Sequence, residues 1–579
     1  MIGTLRDRAL ATITKHWLLL VILLIALGLR IYGIQFGKPF RFHPDEIKLV
    51  LQAGHFLEPA GWTVEGFFRL GSYPPLYTYM LAGIYAACCG VYLLFGILPS
   101  IVAAKEFYYT DTFTFHIIAR YFTALLGTAS IALLYYCSNR LFNRRVALFA
   151  SIVLATVFLH VRNSHFATVD IPATFMELAA FALCVKVYLE GGLKNYVITG
   201  FLCGLAAAMK FNVGIIGVVF IAAHIFGEYN RGTLSVKRVF SKEMISGAVA
   251  VVFGFAIGCP MLLLDPVRFL SGVFRYSELQ SYGKVGLGGG FFSYFVGGMS
   301  PGFGVFSHNS TWEAVGPVLT IVGFAGMIWL VISKRQQNWL VVIFPIIFYI
   351  MIGKINYKTM RQFVPMLPFF ILSAGIFMDM LLAKLRGRDT WQKAIFVTLI
   401  LAIVIPESAK ALRWGSVMSQ PDPRTRAKEW VEENVLDGTH IALEKFGPPL
   451  LEYTDVNKEL KIRSDIYKRS YRKYDSQIRA FFGYKNHSVK TNELQQYLID
   501  NEIKYVIIDS FTKDSFFLEV SEKRFPKLTE ERQAFYNWLD EDNTRVAAFL
   551  PASRWENVFP EITIYRLTAL FPDAMPEEQ

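Results

Sequence analysis

The grouping of apolar residues constrains this chain most. They gather into about eleven runs of helical length, at residues 17–34, 116–138, 146–161, 171–190, 196–209, 213–228, 244–264, 312–333, 339–353, 363–383 and 394–409. A helix needs ~20 apolar residues to cross the hydrocarbon core. Lipid offers the backbone no partners, so spanning segments close their hydrogen bonds within a helix or a closed barrel. The runs therefore predict a polytopic α-helical membrane protein. Composition agrees, with 54% hydrophobic and only 18% charged residues, where a soluble domain carries about 25% charged.

Charge divides the chain in two. Residues 410–579 hold 25 basic and 28 acidic side chains, and residues 1–409 hold 33 and 18. The formal charge of +12 thus belongs to the apolar part, where basic loops at a membrane surface explain it and nucleic acid does not. The split predicts a membrane domain over 1–409 and an appended domain over 410–579. In the tail, 424–434 has helical spacing with Ala427, Trp430 and Val431 on one side, and 441–443, 505–508, 546–549 and 562–565 read as short strands. That mixture predicts a small α/β domain, without a nucleotide loop, metal-ligand spacing or nucleophile motif. Cys88, Cys89, Cys137, Cys184, Cys203 and Cys259 all lie in apolar segments and give no disulfide framework.

Basic clusters orient the spans. Arg6/Arg8/Lys15, Arg140/Arg144/Arg145, Arg231/Lys237/Arg238/Lys242, Lys334/Arg335 and Lys384/Arg386/Arg388 should face the cytoplasm. A further apolar run, 76–98, begins at Tyr73-Pro74-Pro75-Leu76. Counted as a span, it would put the second cluster and every later one outside. Left interfacial or re-entrant, it puts all five inside. The expectation is about eleven spans with the N-terminus inside and the C-terminus outside. The basic segment ahead of the first run has no small-residue cleavage site and reads as the start of a retained helix.

This topology gathers the polar elements that follow or precede spans on the outer face. Asp45 and Glu46, in Arg41-Phe42-His43-Pro44-Asp45-Glu46, lie just past the first run. Adjacent carboxylates at a bilayer surface either cap a helix that begins at Pro44 or act as a general base. Asp170, in Thr168-Val169-Asp170-Ile171-Pro172, either caps the span it begins or faces a site. Arg361 snorkels to the interface or grips a phosphate in a bidentate manner. Lys210 interrupts an apolar run with no acid nearby in sequence. Lys358 and Arg162 are further cations on the same face. His43, His165 and His308 lack metal-ligand spacing and read as polar loop residues. The Gly-rich stretch 283–304 has no strand–loop–helix context and reads as an external loop rather than a phosphate cradle.

Taken in order, His43-Pro44-Asp45-Glu46, Tyr73-Pro74-Pro75-Leu76-Tyr77-Thr78-Tyr79, Arg120, an acid in the second external loop, and Arg361 with Pro365 and Pro368 resemble the GT-C glycosyltransferases that use polyprenyl-phosphate sugars. The protein O-mannosyltransferase family (family 39) and the aminoarabinose lipid A transferases match best. The resemblance covers most of 1–409, and Arg424, Ala427, Trp430 and Asn434 resemble the appended domain of many bacterial members. It implies an interfacial helix after Pro75 and Asp45 as catalytic base, with Glu46 and Asp170 as companion acids. The lipid phosphate would be held by Arg361, Lys210, Lys358 and Arg162. The chain departs from the aminoarabinose enzymes in having Ser72-Tyr73 where those have Glu-Lys, and in lacking their Arg-Pro-Asp.

The implied reaction is inverting transfer of a sugar from a polyprenyl-phosphate donor to a hydroxyl of a lipid, glycan or protein acceptor at the outer face of the plasma membrane. A phosphate leaving group needs no general acid, and Arg and Lys can stabilise its charge. No cofactor is required, and a divalent metal is compatible but not indicated. The competing expectation is a transporter or flippase for a polar or lipid-linked solute, which Glu177 and Lys186 inside spans would serve. A non-catalytic scaffold presenting the tail is a third.

Overall fold

The computed structural model describes residues 2–282, 289–296, 310–356, 358–384, 389–436, 439–444, 446–450, 491–553 and 559–571. His308 and most of the Gly-rich stretch 283–304 lie outside the described residues.

Every apolar run forms a helix. The membrane part contains α1 (Ile2–Ile31), α2 (Pro44–His55), α3 (Leu76–Leu94), α4 (Thr112–Leu141), α5 (Arg144–Thr156), α6 (Phe158–Ser164), α7 (Asp170–Glu190), α8 (Leu193–Met209), α9 (Ile216–Asn230), α10 (Lys242–Gly258), α11 (Pro266–Tyr282), α12 (Pro317–Ile332), α13 (Gln336–Lys354), α14 (Leu367–Ala383) and α15 (Asp389–Met418). Among the described residues, eight helical segments are long and apolar enough to cross a membrane. Seven of them, one bent pair and three shorter apolar helices coincide with the eleven runs read from the sequence. The eighth is α3, the run that charge parity sets apart.

Two local features show how the bundle closes. First, α5 and α6 meet at a 56° bend, which strands carbonyls in an apolar interior. The fully buried Arg30 of α1 takes them up, donating to Ala155 O at 3.0 Å and Leu154 O at 3.1 Å. The Phe158 N–H that restarts the helix donates to Glu407 of α15 at 2.9 Å. A break at membrane depth is tolerated where neighbouring helices satisfy the freed groups. Second, α8 packs on α10 through glycines. A Cβ at Gly200 would lie 2.0 Å from Gly247 O, and one at Gly204 2.2 Å from Val251 O. Small residues permit the close backbone approach that holds helices together in lipid.

The tail opens with α16 (Pro423–Asn434), then carries β1 (His440–Leu443), α17 (Thr491–Asp500), β2 (Ile503–Asp509), α18 (Pro526–Asp542), β3 (Thr544–Phe549) and β4 (Ile562–Arg566). The four strands read from the sequence form one sheet of order β1-β2-β4-β3. β1 and β2 are parallel, with Ala442 opposite Val506, whereas β4 runs antiparallel to both neighbours. Buried Leu494, Leu498, Val506, Phe535 and Leu539 form the core under α17 and α18. An apolar cluster of Leu29, Phe36, Phe158, Phe166, Trp414 and Phe559 joins the membrane helices to the tail.

Candidate active site

The first loop delivers its acids through a well-capped helix. Pro44 stands at the first position of α2, and a His43 ring nitrogen accepts the Glu46 N–H at 3.4 Å. Asp45 and Glu46 occupy the first turn, where the helix dipole favours anions. Successive helical positions diverge by about 100°, so the two carboxylates face different surroundings.

Asp45 meets Arg361. The guanidinium Nη1 lies 2.6 Å from Asp45 Oδ2, and the two side chains keep 21% and 36% of their exposure. Arg361 sits in a 3-10 turn, Met360–Met366, just before α14. Burial works against the charge on Asp45, but Arg361, with His43 and Lys48, outweighs it and holds the carboxyl well below the usual carboxylate range. Arg361 is thus directed at the acid of the first loop, 316 positions away.

Asp170 meets Lys210. The ammonium lies 2.7 Å from Asp170 Oδ1. Asp170 begins α7 but does not cap it, since the cap position is Val169 and makes no side-chain bond. Lys210 ends α8 in an extended conformation that turns its side chain toward α7. The sequence leaves capping open for Asp170, and the structure decides for the ion pair.

Tyr73 lies within electrostatic reach of both pairs, and sequence reasoning passed over it as a site residue. Half-buried just before Pro74, it lies edge-on to Tyr276 of α11, with ring centroids 6.5 Å apart. Burial, then Tyr276 and Asp170, raise its phenol well above the ordinary value, and the charges of Arg361 and Asp45 reach it too. The signal was available, because Tyr73 stands where the resembling enzymes carry a charged pair.

The remaining candidates are held in other surroundings. Glu46 is fully buried against Arg120, with Nε–Oε1 at 3.0 Å and Nη2–Oε2 at 2.7 Å, and it also accepts the Ala167 N–H at 2.8 Å. Lys358 is buried and donates to Gly353 O at 2.7 Å and Ile355 O at 2.5 Å, at the C-terminal end of α13. Arg162 is buried on α6, its guanidinium carbon 5.9 Å from the Phe158 ring centroid. Both His165 ring nitrogens lie 2.9 Å from backbone oxygens, of Val161 and Tyr32. Among the described residues no three His, Cys, Asp or Glu side chains cluster as metal ligands do.

Residues 113–257, which include Arg120, Asp170, Glu177 and Lys210, match the family model described as dolichyl-phosphate-mannose-protein mannosyltransferase. The chain contains a GT-C glycosyltransferase domain. This GT-C fold extends beyond the matched segment. The oligosaccharyltransferase of Archaeoglobus fulgidus, tethered with an acceptor peptide containing the NVT sequon, is similar with a TM-score of 0.51 at 14% identity, over 90% of this chain and 72% of that one. Its apo form gives 0.51 at 13% identity, over 93% and 75%. ArnT from Cupriavidus metallidurans bound to undecaprenyl phosphate gives 0.46 at 12% identity, over 95% and 98%. At these identities the likeness concerns the fold. A comparison with curated protein sequences finds no match. The GT-C resemblance read from the ordered motifs is borne out, and with it glycosyltransferase activity.

Proposed function

We propose that this glycosyltransferase moves a sugar from a polyprenyl-phosphate donor to an acceptor hydroxyl on the outer face of the plasma membrane. It would do so with inversion, within a membrane domain of eleven spans over 1–409 and with the domain 410–579 on the same side. The observation that carries the reading is the Asp45–Arg361 pair. A carboxylate suited to take a proton and a guanidinium suited to hold a phosphate meet at the surface of one loop. The likeness of residues 113–257 to the dolichyl-phosphate-mannose-protein mannosyltransferase family supports a lipid-phosphate donor.

The chemistry follows from the pair. The acceptor oxygen attacks the anomeric carbon, the bond from that carbon to the phosphate oxygen breaks, and polyprenyl phosphate leaves with the electron pair. Asp45 takes the hydroxyl proton. Clamped by Arg361, Asp45 is too weak a base, because efficient proton transfer wants a pKa nearer the working pH. The donor phosphate resolves this by competing for Arg361. Once the guanidinium turns to the phosphate, Asp45 loses its main neutralising partner and gains proton affinity. Base activation is thereby tied to donor occupancy. Lys210 supplies a second cation and Asp170 holds it in place, while Tyr73 adds a neutral phenol within electrostatic reach of both pairs. Glu46, Lys358 and Arg162 hold the frame.

The test is transfer in proteoliposomes from a panel of polyprenyl-phosphate sugars to added acceptors. Wild type should transfer at least one sugar and Asp45→Asn about 10²–10⁴-fold more slowly, with donor binding retained in the variant. Transfer undiminished in Asp45→Asn overturns the assignment of the base. Orientation is tested separately by impermeant labelling of cysteines placed at 139–145 in intact cells. No labelling is expected, and labelling from outside overturns the eleven-span topology.

A further inference from the structure

The tail lies against the loop that carries Asp45, and the contact is specific. The Arg424 guanidinium carbon of α16 sits 3.8 Å from the centroid of the Phe42 ring. Arg424 is not a loose surface cation. Asp422 grips it through Nε at 2.8 Å and Nη2 at 2.6 Å, and also accepts its backbone N–H at 2.9 Å. Both side chains are buried. One turn along α16, the Lys428 ammonium lies 5.8 Å from the Phe40 ring centroid. Phe40 and Phe42 in turn approach each other at 6.2 Å. The opposite side of the loop is packed as well, with His43 lying 4.6 Å from Phe166, which touches Phe36 and Trp414.

We infer that α16 is a clamp on the first loop and that Arg424 is a positioning residue for Asp45. The inference rests on the proposed role of Asp45. The loop needs such a device. Residues 41–43 have no regular secondary structure, and glycines with positive φ, Gly33 and Gly37, precede them. Asp45 stands in the first turn of α2, so this irregular segment sets how that helix begins, and a base must be held within about 0.5 Å of its working geometry. A planar guanidinium, fixed by its own carboxylate and laid on an aromatic face, restrains Phe42 without meeting the substrate. Phe42 then fixes His43, which caps α2 and so sets where Asp45 points. On this reading the tail completes the active site from outside the membrane domain, and a tail that shifts on binding an acceptor or a partner alters the rate.

The test uses full-length protein in proteoliposomes with Arg424→Ala, Arg424→Lys, Phe42→Leu and the Arg424→Ala/Phe42→Leu pair. Arg424→Ala should speed amide exchange over residues 37–43 about tenfold. It should lower kcat about 10- to 100-fold, while KM for the donor stays within about twofold of wild type. Arg424→Lys keeps the charge but not the flat stack and should recover only part of the rate. Phe42→Leu should reproduce Arg424→Ala, and the pair should be no worse than either alone, because one contact is removed twice. If Arg424→Ala fails to fold, Phe42→Leu tests the same contact from the membrane side. Unchanged exchange over 37–43 in a folded variant, or additive losses in the pair, overturns the clamp. Altered exchange in a protein without transfer activity leaves the clamp standing and overturns the proposed function.

Discussion

Asp45 and Glu46 are neighbours in sequence, each paired with an arginine from a distant segment, yet the two pairs differ in kind. The Glu46–Arg120 pair is saturated. Both carboxylate oxygens are bonded to Arg120, Ala167 adds an N–H, Arg120 donates its remaining nitrogen to Ile34 O and Phe36 O at 3.0 Å each, and its guanidinium carbon lies 3.6 Å from the Phe36 ring centroid. In the Asp45–Arg361 pair Nη1 lies 2.6 Å from Asp45 Oδ2, and both side chains stay partly exposed. A fully desolvated, fully bonded pair cannot exchange partners without stranding a charge, so it serves structure. A partly exposed pair can open toward a ligand, which is what the proposed chemistry asks of it. What separates the two acids is burial and access, not residue type.

The comparison breaks most visibly if the acids are neutralised one at a time. Asp45→Asn should lower transfer by about 10²–10⁴-fold and leave thermal unfolding in detergent nearly unchanged. Glu46→Gln removes the counter-charge of a buried arginine and should cost about 3–5 kcal/mol of stability, seen as poor yield and early unfolding. Reversal of these outcomes, with a stable but inactive Glu46→Gln and an active Asp45→Asn, would exchange the two roles.

How much of this was legible in the sequence depends on range. The eleven apolar helices and the four tail strands could be read because hydropathy and periodicity are local properties of the chain. The pairings could not. Lys210 shows no acid nearby in sequence, and its partner Asp170 stands 40 positions away. Capping suited Asp170 equally well from its place before Pro172, and only the neighbouring helix turns it toward Lys210. The burial of Lys358 and Arg162 could not be read either, because exposed cations and buried ones look alike in a string of letters. Arg424 was read as one residue of a helical pattern, and its stack on Phe42 joins segments about 380 positions apart in the sequence. Asp45 stood out as a candidate because acids beside an apolar run are rare and its place in an ordered set of motifs is distinctive.

Arg361 sharpens the comparison through pH. Arg361→Ala should weaken donor binding about 10- to 100-fold, the loss expected for a hydrogen bond to a charged group, measured with a polyprenyl-phosphate ligand. The same change removes the main charge that depresses Asp45. In wild type the folded carboxyl lies below its unfolded value, so its charge is complete above the ordinary carboxylate range and is lost only as pH falls well beneath it. The acid limb of kcat/KM, which reports the free enzyme, should accordingly lie below about pH 4. In Arg361→Ala burial is left to act on Asp45 with weaker opposition from His43 and Lys48, and the limb should move upward. An unmoved limb would mean that Arg361 does not control the base.

Glu177 supplies the smallest expected effect and the strictest check on the rule that saturation marks structural acids. It lies fully buried on α7, two turns beyond Asp170, and neither of its carboxylate oxygens has a hydrogen-bond partner among the described residues. Lys210 is the charge that reaches it, and that ammonium is already 2.7 Å from Asp170. An unbonded buried carboxylate contributes nothing that an amide of the same shape does not, and the amide carries no charge to desolvate. Glu177→Gln should therefore leave stability within about 1 kcal/mol of wild type or raise it, against the several kcal/mol lost in Glu46→Gln. Thermal unfolding of the two variants side by side in one detergent decides the matter. Equal losses would show that burial alone, without the bonds that hold Glu46, fixes the worth of an acid in this membrane domain.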